Sequence, residues 1–104
     1  MEYLISQSKI QSDKVELEKI FARYHNIQGT KSADNGRIKA ALKDFNEAIK
    51  LNPGYSPAYF NRGTIKADLG DFEGAKKDFE KARELEMLLV MQAGSKLSQQ
   101  YNQV

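Results

Sequence analysis

The stretch GTKSADNGRIKAALKDFNEAIKL, residues 29–51, occurs a second time as GTIKADLGDFEGAKKDFEKAREL, residues 63–85. Eleven of the 23 aligned positions are identical, and the offset between the two copies is 34 residues. Most of the identical residues are Gly, Ala, Phe or Leu, which are the residue types that set turns and side-chain packing. The chain therefore contains an internal repeat, and we predict that this repeat determines the fold.

Each copy of the repeat is predicted to form a pair of helices. Turn signals at Gly36 and Gly70 interrupt each copy, and after each of them apolar residues recur at spacings of three and four, as in an amphipathic helix. The pairs are predicted at 14–35 with 37–51 and at 56–69 with 71–86. Because Phe45 and Phe79 occupy the same repeat position, we expect both to be buried.

Polar and breaker residues place the helix ends. The run Asn52-Pro53-Gly54 predicts a break between the two units. Ser56-Pro57 predicts an N-cap followed by proline at the first helical position, and Asp71 predicts a second N-cap. Asp44 and Asp78 recur at one repeat position, so we expect them to be structural and to pair with Lys or Arg three or four residues away.

The period and its landmarks resemble the tetratricopeptide repeat family. The matching positions are Gly29, Ala41, Phe45 and Pro53 in the first unit and Tyr59, Gly63, Ala75 and Phe79 in the second. The resemblance implies an all-α fold of antiparallel helix-turn-helix repeats, a fragment of an α-solenoid. We expect one domain over residues 1–104, with repeats at 22–55 and 56–89 and a helical extension at 90–104. The sequence departs from the family pattern at His25, Gln28, Ser32, Arg62, Lys66 and Met87.

The two ends of the chain extend beyond the repeat. Ser12-Asp13 predicts a cap for a first helix that begins near Lys14 and is longer than the family's usual length. After the second unit no proline stops the helix, and Leu85, Leu89, Ala93, Leu97 and Tyr101 recur every four residues. A separate capping helix and a continuous helix are both open, and the missing proline favours the continuous one. A continuous helix would suit a two-fold dimer that exchanges C-terminal helices.

Composition excludes several classes of function. The 16 basic and 14 acidic residues give a net charge of +2 and are interspersed, so no single-sign patch for nucleic acid is present. The chain has no cysteine, which fits a reducing compartment, and no apolar run long enough for a signal peptide or a membrane span. His25 is the only histidine and has no nucleophile motif beside it. We therefore predict a cytoplasmic protein that is not an enzyme and has no cofactor, no metal, no membrane contact and no nucleic-acid partner.

The resemblance implies a concave groove, lined by the first helix of each unit, that holds a peptide or helix of a partner protein. The groove candidates are Asn26, Ile27, Thr30, Phe60, Asn61, Thr64 and Asp68. One subgroup of the family clamps acidic chaperone tails, and the corresponding positions here are Asn26, Thr30, Asn61, Met91 and Ser95. Only Asn61 matches and the cations are missing, so we do not expect that ligand.

Two functions follow from these features. The first is a protein-binding scaffold that captures a peptide or helix in the groove. The second is a self-assembling structural module that forms a homodimer through the apolar C-terminal helix. Met87-Leu88-Leu89-Val90-Met91 favours the second function, because an exposed apolar run promotes association.

Overall fold

Four α-helices follow one another along the chain and are joined by short turns. The structure, a computed structural model, describes the backbone of residues 2–102 and the surroundings of side chains 8–101. Within that range it contains no strand, which confirms the predicted all-α fold. The helices are α1 (Glu2–Asp34), α2 (Ile38–Leu51), α3 (Ser56–Asp68) and α4 (Phe72–Asn102). Residues 1, 103 and 104, which the predicted domain includes, lie outside the described range.

The turns after α1 and α3 are copies of each other. Gly36 has a φ of 76° and Gly70 a φ of 87°, a left-handed conformation that glycine adopts without steric cost. The N–H of Gly36 donates to the carbonyl of Ala33, and the N–H of Gly70 donates to that of Ala67, both at 3.0 Å. These short turns reverse the chain, so the helices of each unit run antiparallel.

The loop between the units differs from its prediction at one residue. Ser56 is the first residue of α3 rather than its N-cap, and Tyr55 takes the N-cap position without a side-chain hydrogen bond. The helix begins early because the Tyr55 carbonyl already accepts the N–H of Ala58, at 3.2 Å. Pro57 fits here because the first turn of a helix has no partner for its N–H groups. The Tyr59 hydroxyl donates to the Pro53 carbonyl at 2.8 Å and ties the loop to α3.

The core lies between α1, α2 and α3. Phe45 is 1% exposed and packs with Ala41 and Ile65. Gly29 on α1 makes room for Phe45, because a Cβ built on this glycine would lie 2.5 Å from the Phe45 ring. A smaller cluster joins Ala22, Ala48 and Ala58, whose short side chains let the three helices approach closely. The predicted burial of Phe45 is confirmed.

Phe79 departs from the prediction. It packs on Gly63 as Phe45 packs on Gly29, but it is only partly buried. The reason is the place of the second unit in the stack, because α3 covers Phe45 and no described helix follows α4 to cover Phe79.

The helix ends are longer than the repeat requires. The predicted start near Lys14 is wrong, because α1 begins at Glu2. No glycine or proline lies between residues 2 and 13, so Ser12 and Asp13 are accommodated inside the helix instead of capping it. The prediction of a continuous C-terminal helix is confirmed, since α4 runs without a break to Asn102.

Candidate functional site

A cavity of about 630 Å³ lies against α3 and α4 on the outer side of the second unit. Phe60 and Phe79 form its floor, with ring centroids 5.5 Å apart, and Phe72 stands beside them with 71% of its surface exposed. We call this surface the open face. Its lining residues are Phe60, Ala67, Phe72, Ala75, Lys76, Phe79, Glu80, Arg83 and Glu86.

The first unit has the same surface, and there α3 covers it. Subtracting 34 from the numbers of the open face gives Asn26, Ile38, Ala41, Leu42, Phe45 and Asn46, among others. Asn26 accepts a hydrogen bond from Asn61 of α3 at 2.9 Å, and Asn46 accepts one from Arg62 at 3.0 Å. Asn26 is 9% exposed, whereas Phe60, its counterpart on the open face, is 56% exposed. The open face is therefore a surface built for helix stacking that carries no helix in the described structure.

Charges border the open face where the first unit has neutral residues. Leu42, Asn46 and Ile49 of the first unit correspond to Lys76, Glu80 and Arg83 of the second. Lys76 and Arg83 are cationic, and Glu80 and Glu86 are anionic, so both signs flank the Phe floor. Such a surface suits the apolar stripe of an amphipathic helix whose flanking residues are polar or charged.

The structure distributes the predicted groove residues between two roles. Asn26 and Asn61 are brought together and bond to each other. The Thr30 and Thr64 hydroxyls donate to the carbonyls four residues before them, at 3.0 and 3.1 Å. These four side chains therefore already form hydrogen bonds within the protein.

The other three groove candidates are available to a partner. Ile27 and Asp68 are exposed on α1 and α3. Phe60 is exposed too, but it contacts Phe79 and belongs to the open face. Of the positions compared with the chaperone-tail clamp, Met91 and Ser95 are exposed on the extension of α4 rather than on a third helix pair.

A buried ion cluster joins α3 to α4. The Asp78 carboxylate accepts hydrogen bonds from Arg62 at 2.7 and 2.8 Å, and Lys66 lies 3.1 Å away. Burial alone would raise the pKa of Asp78, but the bonds and charges of Arg62 and Lys66 outweigh it and lower that pKa. The hydrogen bond to Asp78 correspondingly raises the pKa of Arg62. Asp78 is thus structural, although its partners lie on α3 and not three or four residues away.

His25 has a comparable structural contact. Its Nδ1 atom lies 3.1 Å from Oδ1 of Asp44, and both side chains are partly buried. The contact ties α1 to α2, so the partner of Asp44 also lies on the other helix of its unit. His25 therefore packs between α1 and α2.

Of the residues that line the open face, the sequence predicts only Phe60 as a site residue. It predicts Phe79 in the core and indicates no site role for Phe72, Lys76 or Arg83. The signal that would have found them is the repeat itself, because each corresponds to a first-unit residue beside α3. In residues 2–102, no helix has both the length and the apolarity needed to cross a bilayer.

Comparison with known proteins supports the repeat assignment. Sequence models of the tetratricopeptide repeat match residues 22–55 and 56–87. An uncharacterized protein of Methanocaldococcus jannaschii is 42% identical over 41 residues, a match that spans 39% of this chain and 48% of that protein. Tetratricopeptide repeats generally mediate protein–protein interactions and are typically non-catalytic. With both units matched and the helix pairs in place, the chain belongs to the tetratricopeptide repeat family.

Proposed function

We propose that the chain is a protein-interaction module that binds an amphipathic helix of a partner on its open face. One observation carries the proposal: the equivalent surface of the first unit is covered by α3, with Asn26 and Asn46 each bonded across the contact. The open face keeps the same Ala and Phe positions, Ala75 and Phe79, and adds the exposed rings of Phe60 and Phe72. An apolar helix stripe on this floor would bury aromatic surface that is now in contact with water.

The concave groove is the neighbouring surface in this proposal. Ile27, Thr30, Thr64 and Asp68 are exposed there and could contact a peptide that crosses α1 and α3. Asn26 and Asn61 would then position the groove through their mutual bond rather than bind the ligand.

The experiment compares two sets of variants in affinity capture with quantitative mass spectrometry. Phe72→Lys places a charge on the open face, and Asp68→Lys reverses a charge in the groove; both side chains are exposed, so neither change should disturb folding. Leu88→Lys, on another face of α4, is the matched control. We expect partners to be lost with Phe72→Lys and retained with Asp68→Lys and Leu88→Lys.

The opposite pattern, with partners lost only for Asp68→Lys, would assign binding to the groove and contradict the open-face proposal. Equal retention by all three variants would contradict both surfaces. Thermal melts of each variant confirm that the fold is intact.

A second candidate is a self-assembling structural module. The observation that favours it is the unbroken α4, whose side chains from 86 to 101 are all exposed. These include Leu89, Val90, Met91 and Leu97, an apolar content that an isolated chain leaves in water. The two-fold exchange of C-terminal helices is one form that such assembly could take.

The remaining assignments are proposals of the same kind. We propose a non-catalytic scaffold consisting of one domain, with repeats at 22–55 and 56–89 and an extension from residue 90. The cytoplasm is proposed as its location because a chain without cysteine suits a reducing compartment.

A further inference from the structure

We propose that the helix bound by the open face is α1 of a second copy of this chain, so that copies stack head to tail. The inference rests on the proposed use of the open face and names its occupant. It differs from a two-fold exchange of C-terminal helices, because one copy contributes α1 and the other contributes α3 and α4.

The outer face of α1 is the repeat equivalent of the face that α3 turns to the first unit. Ala58, Asn61, Arg62 and Ile65 of α3 pack against or bond to that unit. Their counterparts 34 residues earlier on α1 are Tyr24, Ile27, Gln28 and Lys31, all at least partly exposed. The chain thus carries both halves of one stacking contact, one on α1 and the other on α3 and α4.

The side chains that would meet have changed together. Inside the chain the pair is Asn61 with Asn26, both polar and hydrogen-bonded. Between copies the same place holds Ile27 of one copy and Phe60 of the other, both apolar and both more than half exposed. An apolar residue on either side alone would leave a buried amide without a partner, so the matched change preserves a workable contact.

At a second position the contact between copies is polar, as the equivalent contact inside the chain is. The Arg62–Asn46 hydrogen bond inside the chain corresponds to Gln28 of one copy beside Glu80 of the other. A Gln amide can donate to a Glu carboxylate, so this pair also has a complementary bond. Tyr24 replaces the fully buried Ala58, so the second copy must lie further out at that point than α3 does.

The helical extensions continue the contact beyond the repeat body. Because α1 and α4 run in opposite directions, the N-terminal half of α1 and the C-terminal half of α4 leave the body at the same end. Val90 and Leu97 follow Phe72 and Phe79 by 18 residues each, which is about five helical turns and therefore the same face.

On α1 the matching stripe is formed by Tyr24, Leu17 and Ile10, at seven-residue intervals. If Gln28 of one copy lies beside Glu80 of the other, Leu17 lies beside Val90 about three helical turns further from the repeat body. Ile10 then lies beside Leu97, about two turns beyond that. The four side chains of these two pairs, Leu17, Val90, Ile10 and Leu97, are all exposed in the single chain. The stacked copies would bury them in one continuous antiparallel helix pair.

A head-to-tail contact joins two different surfaces, so the same contact can form again between each copy and the next. Each copy that binds through α1 leaves its own open face free, so the products are open filaments or closed rings rather than only dimers. This property gives a test that a two-fold dimer cannot pass.

The experiment uses two variants of this chain in sedimentation velocity over a wide range of concentration. Leu17→Lys with Ile10→Lys disables the α1 face, and Val90→Lys with Leu97→Lys disables the α4 face; all four residues are exposed. We expect the natural chain to form species larger than a dimer and each variant alone to be a monomer. An equimolar mixture of the two variants should form a one-to-one heterodimer that does not grow. Leu88→Lys, about half a helical turn away from the Val90 face, should assemble like the natural chain.

Two results would overturn the inference. A natural chain that stays monomeric at the highest concentration has no such contact. Assembly that stops at a dimer, with the α1 variant still dimeric and no heterodimer in the mixture, would establish a two-fold α4 contact instead. In either case, loss of partners by Phe72→Lys would leave the proposed function standing, so the two failures are distinguishable.

Discussion

Two phenylalanines at one repeat position have different surroundings, and the difference isolates what each neighbour contributes. Phe45 and Phe79 both pack on a glycine of the preceding helix, Gly29 or Gly63. Phe45 also packs with Ile65 of α3, whereas the corresponding side of Phe79 faces the cavity. A phenylalanine at this position packs on the glycine of its own helix pair. How far it is buried depends on whether another helix stacks on that pair.

Truncation of these two rings should therefore have unequal effects on stability. Phe45→Ala should cost about 3–5 kcal/mol, because it leaves an enclosed cavity in the core. Phe79→Ala should cost less, on the order of 2 kcal/mol, since the space it leaves opens to solvent. Urea unfolding followed by circular dichroism measures both values. Equal losses would mean that the open face is covered in solution, and assembly state should then be checked at the same concentration.

The charge state of Asp78 affects the stability of the fold. Its folded-state pKa is lowered, so the folded chain releases the Asp78 proton more readily than the unfolded chain does. The contribution to stability is therefore complete above the unfolded pKa of about 3.9 and is lost as the pH falls from there through the folded pKa.

Asp78→Asn should destabilise the protein by about 3 kcal/mol at neutral pH, because Arg62 and Lys66 lose a largely buried carboxylate. The gap between wild type and variant should be constant down to about pH 5 and should shrink below about pH 4. Urea titrations at several pH values measure it, with the exposed Asp68→Asn as control. A gap that widened in acid would contradict the lowered pKa.

At the scale of the helix, α4 shows how start and stop signals act independently. Asp71 caps its start as predicted, since its Oδ1 accepts the N–H of Gly74 at 3.0 Å. The first unit ends its second helix at Leu51, just before Asn52-Pro53-Gly54, whereas Met87 and Leu88 stand at the matching place of α4. With no residue there that opposes a helix, the helix continues for another 16 residues, from 87 to 102.

Replacement of Met87-Leu88 by Pro-Gly should end α4 near Glu86. Proline inside a helix removes a hydrogen bond and clashes with the preceding turn, at a cost of about 3 kcal/mol. We expect lower helical circular dichroism and a shift of any assembly toward monomer, with little change in the melting of the repeat body. Met87→Ala with Leu88→Ala removes the same side chains and keeps the helix, so it should retain both signals. Unchanged sedimentation after the Pro-Gly change would remove the extension from the assembly contact.

At the scale of the whole molecule, the sequence predicts the features that the two units share. It does not predict the features that depend on which helix packs beside each unit. The 34-residue period identified both helix pairs, the turns at Gly36 and Gly70 and the buried Phe45. The predicted start of α1 is wrong because Ser12-Asp13 has the chemistry of a cap yet fits inside a longer helix. Local composition does not decide between these two states.

The candidate site was harder to predict for a related reason. The family pattern predicts the groove residues, and of these Asn26 and Asn61 bond to each other. The open face has no sequence motif of its own, because Phe72 and Phe79 have the spacing of ordinary core positions. They differ from core residues only because no described helix covers the second unit as α3 covers the first. Only the comparison of one unit with the next, position by position, separates a stacking surface from a core.

We expect the length of α4 to give the chain two cooperative units of different stability. Between Glu86 and Tyr101 every side chain is exposed, so this segment has only its own helical hydrogen bonds to hold it. A free helix of this length is marginal in water, and Gly94 weakens it further, so its amides should exchange with solvent far sooner than those near Asp78. A partner that docks there must supply the ordering entropy, about 1–2 kcal/mol for each residue that it fixes. Binding would then be coupled to helix formation, and the helical content of the chain would become a measure of its occupancy.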